Sequence, residues 1–141
     1  LASILGASVT TPAGQGRVLG LGGLFFKSPD PARLRGWYQH VLGLQFNSWG
    51  GIVFDPVALP AGSALVFTPF AADTDYFKPS TQPFMFNLIV DDLEAAVRRA
   101  AAAGATVSEE RASGEQGDFA WLIDCDGNKV ELWQPAAARR D

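Results

Sequence analysis

Glu131 lies in the run Lys129-Val130-Glu131-Leu132-Trp133. Period-two alternation puts Val130 and Leu132 on one face of a strand and Lys129, Glu131 and Trp133 on the other. A carboxylate held among rings and left unpaired has a raised pKa, which makes it a proton acceptor near neutral pH. Accepting a ligand's hydrogen bond, or pairing with Lys129 or Lys27, are the other uses open to it. Two further reactive residue types point elsewhere. Cys125 is the single cysteine, so no intrachain disulfide is expected, and Asp124 and Asp126 on either side hold its thiol pKa up. It reads as a plain turn residue. The only histidine, His40, stands beside the apolar stripe of a helix and reads as a partly exposed helix residue.

The elements that position these groups follow from periodicity. Phe84, Phe86, Leu88 and Val90 alternate with Met85, Asn87 and Ile89, which predicts a strand with two different faces. Asp91 or Asp92 caps a helix whose stripe is Leu93, Ala96, Val97 and Ala100, and Gly104 ends it. A strand at about Ala105–Ser108 leads to a charged loop from Glu109 to Asp118. Strands over Phe119–Ile123 and Lys129–Gln134 flank a tight turn, Asp124 to Asn128, in which Gly127 accepts a positive φ. A fainter version of this order comes earlier. Arg17–Lys27 reads as a strand, and Asp30 and Pro31 open a helix with stripe Leu34, Trp37, Tyr38, Val41 and Leu42. Gly43 closes it, and short strands follow near Leu44–Ser48, Gly51–Asp55 and Ser63–Thr68.

The expected organisation is an N-terminal arm over 1–16, a first β-α-β-β-β module over 17–70, a linker over 71–83, a second module over 84–135 and a tail over 136–141. The fold class is α+β: a curved mixed sheet around a cleft, with helices on its outer face.

Composition narrows the partners. The chain has 141 residues, of which 48% are hydrophobic, with ten Phe, four Trp and two Tyr. That is enough apolar matter for a core. A net charge of -4 argues against nucleic acid, which needs a basic face. No apolar run is long enough to span a membrane. The first sixteen residues lack the basic start and apolar block of a signal peptide. They read as a mobile arm, and a cytoplasmic location is expected.

The segments SPDPARLRGWYQHVLGL, IVDDLEAAVRRAAAAGATV and DCDGNKVELW resemble the two units of the vicinal oxygen chelate superfamily, which includes glyoxalase I, bleomycin resistance proteins, fosfomycin resistance enzymes and extradiol dioxygenases. The resemblance covers Val18 to Pro135. It implies two modules whose sheets curve around a shared cleft, and chains that often pair as a homodimer. In the metal-dependent members, His, Gln or Glu side chains on four strands hold one divalent ion. The matching positions here fall at or next to Gly23, at Leu65 or Phe67, at Met85 and at Glu131. Only Glu131 suits a hard divalent ion, so no metal and no cofactor are expected. On this view Glu131 is also readable as a leftover of the metal site.

The cleft is instead expected to be aromatic. Trp49, Phe67, Phe119, Trp121 and Trp133, with Met85, Asn87 and Ile89, are candidates for its wall and for ligand binding, and Glu131 is the candidate catalytic group. Aromatics fill cores and interfaces just as readily, so each also reads as interior or dimer-interface matter. The loop 109–118, with Gly114 and Gly117, is a candidate cover, or a plain solvated connector. The function expected is metal-free binding of a small hydrophobic or aromatic molecule. The alternatives are a superfamily enzyme of lyase, isomerase or dioxygenase type using Glu131 as base or metal ligand, and a structural module.

Overall fold

The computed structural model describes residues 14–139. The expected arm over 1–16 lies outside them except for its last three residues, which are exposed.

Helix α1 spans Pro31–Leu42. The Asp30 carboxylate accepts from the Arg33 amide at 3.1 Å, and Pro31 loses nothing at the first helical position, where its missing N–H would be unpaired anyway. Gly43 ends it at φ 71°, the left-handed backbone that glycine takes without a Cβ clash. Leu34, Tyr38 and Val41 of the expected stripe are buried, with Trp37 and Leu42 packed at their edge.

Strand β1 (Phe86–Ile89) precedes helix α2 (Leu93–Ala102), and strands β2 (Thr106–Gly114), β3 (Gly117–Ile123) and β4 (Lys129–Pro135) follow it. Of the two candidate caps for α2, Asp92 takes the role, accepting from the Ala95 amide at 3.0 Å. The sheet order is β1-β4-β3-β2, with β1 parallel to β4 and the other pairs antiparallel. The sheet is therefore mixed and the class is α+β, as expected. Phe86, Ala120, Leu122, Val130 and Leu132 turn one sheet face toward α1 and α2, where they meet Leu34, Tyr38, Val41, Leu93 and Ala100 in a single core.

Two expectations need correction. The strands expected at Arg17–Lys27, Leu44–Ser48, Gly51–Asp55 and Ser63–Thr68 are absent; among the described residues 17–70 there is α1 and a 3-10 turn at Pro56–Ala58 but no strand. A strand is defined by its partner as much as by its own pattern. These runs fit a pleated surface locally but lie against no ladder; Leu44 and Phe46 pack at the edge of the core, while Phe25, Val53 and Phe67 stand in the open. The charged loop expected over 109–118 is mostly strand. β2 runs on to Gly114 and pairs with β3 through Ser113↔Asp118 and Gly114↔Gly117, leaving only a two-residue turn. A register shift between Val107 and Arg111 absorbs the break that the charges suggested, and charged residues suit an edge strand such as β2. This segment is not a cover for the cleft. In the tail, Ala136–Ala138 form a 3-10 turn, and the Arg139 guanidinium meets Asp118 at 3.1 Å.

The turn Asp124–Asn128 joins the helical layer to the sheet. The carboxylate of Asp124 accepts from the Asp126 and Asn128 amides at 2.9 and 3.0 Å, from the Asn128 side chain at 2.8 Å and from the Tyr38 hydroxyl at 2.6 Å. Gly127 makes the sharp bend at φ 83°. The Ser28 hydroxyl donates to Asp126 at 2.6 Å, so the α1 segment is fastened to this turn both ahead of the helix and at Tyr38 within it. Cys125 is half-buried within it. Burial pushes its thiol pKa up, and the charges of Asp126 and Asp124 add to the rise against the opposing pull of Arg33.

Candidate functional site

Strand pairing assembles the site on the sheet face away from the helices. In register, Asn87 of β1 lies opposite Glu131 of β4, and Glu131 lies opposite Trp121 of β3. All three side chains share a face by parity, so they form a row across the sheet. The Glu131 carboxylate is wholly buried and accepts from Asn87 Nδ2 at 2.8 Å and from Trp121 Nε1 at 2.9 Å.

A third donor comes from outside the sheet. Tyr76, in the segment between the two halves of the chain, donates its hydroxyl to Glu131 Oε2 at 2.5 Å. Its ring stacks on Phe70 at 5.5 Å and meets Trp121 edge-on at 6.5 Å. Lys129 Nζ lies 5.2 Å from the Tyr76 ring centroid and 5.7 Å from that of Trp121, a cation–π position over both, and donates to the Tyr76 carbonyl at 2.6 Å. Of the lysines considered as partners for Glu131, Lys129 thus bonds to the backbone of Tyr76, and Lys27 is exposed. Burial pushes the Lys129 pKa below its ordinary value, against the attraction of Glu110 and Glu131.

Next to this row opens a broad trough of about 2400 Å³, whose lining includes Trp49, Phe54, Phe67, Met85, Asn87 and Glu131. Trp49 and Phe67 lie in the first half of the chain and are exposed. Phe119 and Trp133, expected as wall, are closed off instead. They are 1% and 0% exposed and stack on each other at 6.1 Å, with the Trp133 indole donating to the Gln116 carbonyl at 2.9 Å. Cross-strand pairing between them explains this, since each ring's neighbour is the other. The expected set therefore divides into a polar row of Asn87, Trp121 and Glu131, a trough lining of Trp49, Phe67 and Met85, and a buried pair.

Sequence reasoning missed Tyr76. It lies in a stretch with two prolines and no periodicity, and its one signal was chemical: a tyrosine pairs an apolar ring with a donor that seeks a partner when buried.

The donor set fits a divalent ion poorly. About three of the four lone-pair positions of Glu131 are engaged by protein donors, from Asn87, Tyr76 and Trp121. Among the described residues no three His, Cys, Asp or Glu side chains gather in a way that suits a metal. His40 is exposed on α1, away from the row.

Two tyrosines give the fold a pH dependence. Burial, and then the bonds to Asp124 and Glu131 respectively, raise Tyr38 and Tyr76 above the ordinary value of 10.0. A raised folded-state pKa means that above pH 10 the unfolded chain has lost protons that the folded chain still holds. The associated stability is complete below pH 10 and falls as pH rises beyond it. Urea unfolding between pH 8 and pH 11 is expected to show a declining midpoint, and the Tyr38→Phe and Tyr76→Phe variants a flatter decline. Equal slopes in all three proteins would count against these environments.

Residues 23–133 match the glyoxalase-like domain family, so the chain belongs to that family. No curated protein matches the chain. Among solved structures, an antibiotic binding protein, TnmS3, from Streptomyces sp. CB03234 is similar at 31% identity over 36% of this chain and 41% of its own, with a TM-score of 0.33. A glyoxalase/bleomycin resistance protein/dioxygenase superfamily member from Sphaerobacter thermophilus DSM 20745 is similar at 26% identity over 35% and 40%, with a TM-score of 0.32. The matched stretch thus spans about two fifths of each of these two chains. TioX from Micromonospora sp. ML1 is similar at 17% identity over 80% of this chain and 94% of its own, with a TM-score of 0.45. No helix among the described residues is long and apolar enough to cross a membrane.

Proposed function

We propose that this glyoxalase-like chain is a binding protein that holds a small hydrophobic or aromatic molecule in its cleft without a metal, and that it works as a homodimer. The observation that carries the reading is the state of Glu131. Its carboxylate is wholly buried with three protein donors on it, and Glu131 is among the residues around an apolar trough. A general base needs a lone pair aimed at substrate, and a metal ligand needs companions; both are in short supply here. An acceptor already largely engaged, beside a trough lined by rings, suits recognition by contact and one or two polar bonds.

Pairing of two copies is supported by the first half of the chain. Phe25, Val57 and Phe67 are 91%, 91% and 86% exposed, and Val18, Leu19, Val53 and Leu65 stand open near them in sequence. So many large apolar side chains left open along one stretch of chain support an interaction face there. A second copy is the partner that every molecule of the chain has at hand. In this reading 17–70 and 84–135 are two modules joined by 71–83, and the partner covers what the first module leaves open.

Sedimentation equilibrium is expected to give a dimer mass at micromolar concentration; a clean monomer removes the homodimer. Titration with planar aromatic compounds is expected to quench tryptophan fluorescence with saturation. Elemental analysis is expected to find no stoichiometric divalent ion, and finding one that Glu131→Ala abolishes would transfer the site to the metalloenzyme reading.

A further inference from the structure

The ring of Tyr76 sits in a slot built by other residues. Phe70 stacks on it, Trp121 meets it edge-on, Lys129 Nζ approaches its centroid, and Glu131 accepts its hydroxyl. Three of those four groups belong to β3 and β4, at the centre of the sheet, which cannot move without breaking ladders on both sides. Tyr76 itself belongs to 71–83, which holds neither strand nor helix. The turns of that segment are local, from Thr74 to Ala71, Lys78 to Asp75 and Ser80 to Phe77, and its Lys78–Asp75 ion pair is exposed. The floor of the slot is held by the sheet, while its occupant comes from a segment with no ladder of its own, tied to β4 at Tyr76 through the Lys129 side chain. Glu131 and Asn87 are also among the residues around the trough beside it, and Tyr76, itself half-buried, is the group that closes one side of the carboxylate.

We infer that Tyr76 is a built-in stand-in for the ligand: the slot over Trp121, Lys129 and Glu131 is a subsite for a phenolic hydroxyl on a planar aromatic molecule, and binding requires the 71–83 segment to withdraw Tyr76 from it. This rests on the binding-protein reading above and names the ligand class for that same cleft. The chemistry selects a neutral donor on a ring. The ring replaces Tyr76 against Phe70 and Trp121, and the hydroxyl replaces its bond to Glu131. A methyl ether of the same shape has no proton for Glu131, and a carboxylate would meet it with like charge. Moving Tyr76 aside without a replacement would leave a buried carboxylate one donor short, which keeps the segment closed in the absence of ligand.

The test compares naphthol with its methyl ether on the full chain, by tryptophan fluorescence and by amide hydrogen exchange. Naphthol is expected to bind wild type more tightly than the ether and to speed exchange across 71–83. Tyr76→Ala is expected to bind naphthol at least tenfold more tightly than wild type, because a stand-in present about nine tenths of the time lowers apparent affinity by that factor. Tyr76→Phe keeps the ring and serves if the alanine variant folds poorly; removing the competing hydroxyl is expected to widen its preference for naphthol over the ether. Equal binding of the two compounds to all three proteins, with exchange in 71–83 unchanged, would overturn the stand-in while leaving a binding cleft. No binding of either compound to any variant would overturn the cleft reading and the stand-in together.

Discussion

Glu131→Ala is expected to destabilise the fold by about 2–4 kcal/mol, because it strips one buried acceptor from three donors at once. Asn87 and Trp121 are fixed by the sheet and cannot turn to water without giving up register, so their stranded N–H groups account for most of the loss. The Tyr76 hydroxyl is only half-buried and can follow its segment outward, so it adds less. Glu131→Gln keeps the volume and one acceptor oxygen but brings an amide N–H toward other donors, and is expected to cost roughly 1–2 kcal/mol. Urea denaturation with linear extrapolation measures both. An alanine variant within 0.5 kcal/mol of wild type would mean that the row is not held by its carboxylate. The same variants bear on function: unchanged affinity of Glu131→Gln for a hydroxylated planar compound would remove Glu131 from ligand recognition.

Asp124→Ala is expected to cost about 3–5 kcal/mol, the upper range for one substitution, since it leaves several buried donors without an acceptor. Four donors converge on this carboxylate, and two of the groups that supply them, Tyr38 and Asn128, are themselves buried. Their loss unfastens α1 from the β3–β4 turn, where a buried polar network pins the first half of the chain to the sheet. Asp124→Asn retains one acceptor oxygen and is expected to lose about half as much. Tyr38→Phe separates the contribution of the interlayer bond from that of the turn. If Asp124→Ala unfolds at the wild-type urea concentration, the turn does not organise the fold.

Local pattern was enough to place several elements. Asp30, Pro31 and Gly43 bounded α1, and a cap at Asp91 or Asp92 with the apolar stripe placed α2, because caps and helical periodicity act over a few residues. Alternation along 129–134 put Glu131 on the face opposite the core. The family was legible too, since the tight turn ending in Glu-Leu-Trp is a contiguous stretch of chain.

What lay beyond the sequence depends on partners distant along it. The strand patterns of 17–70 were real as patterns, yet without a ladder opposite them they stay unpaired. Phe119 and Trp133 looked like open wall until cross-strand register set them against each other. The charges of 109–118 suggested a loop, but an edge strand carries such residues equally well. Above all, the donors on Glu131 come from positions 44 residues before it, 10 before it and 55 before it. Parity fixes the direction in which a side chain points; only sheet order and the path of 71–83 fix what it meets there. The sequence determined that this chain carries a lone carboxylate on a ring-lined face, and the tertiary structure decided that three protein groups already occupy it.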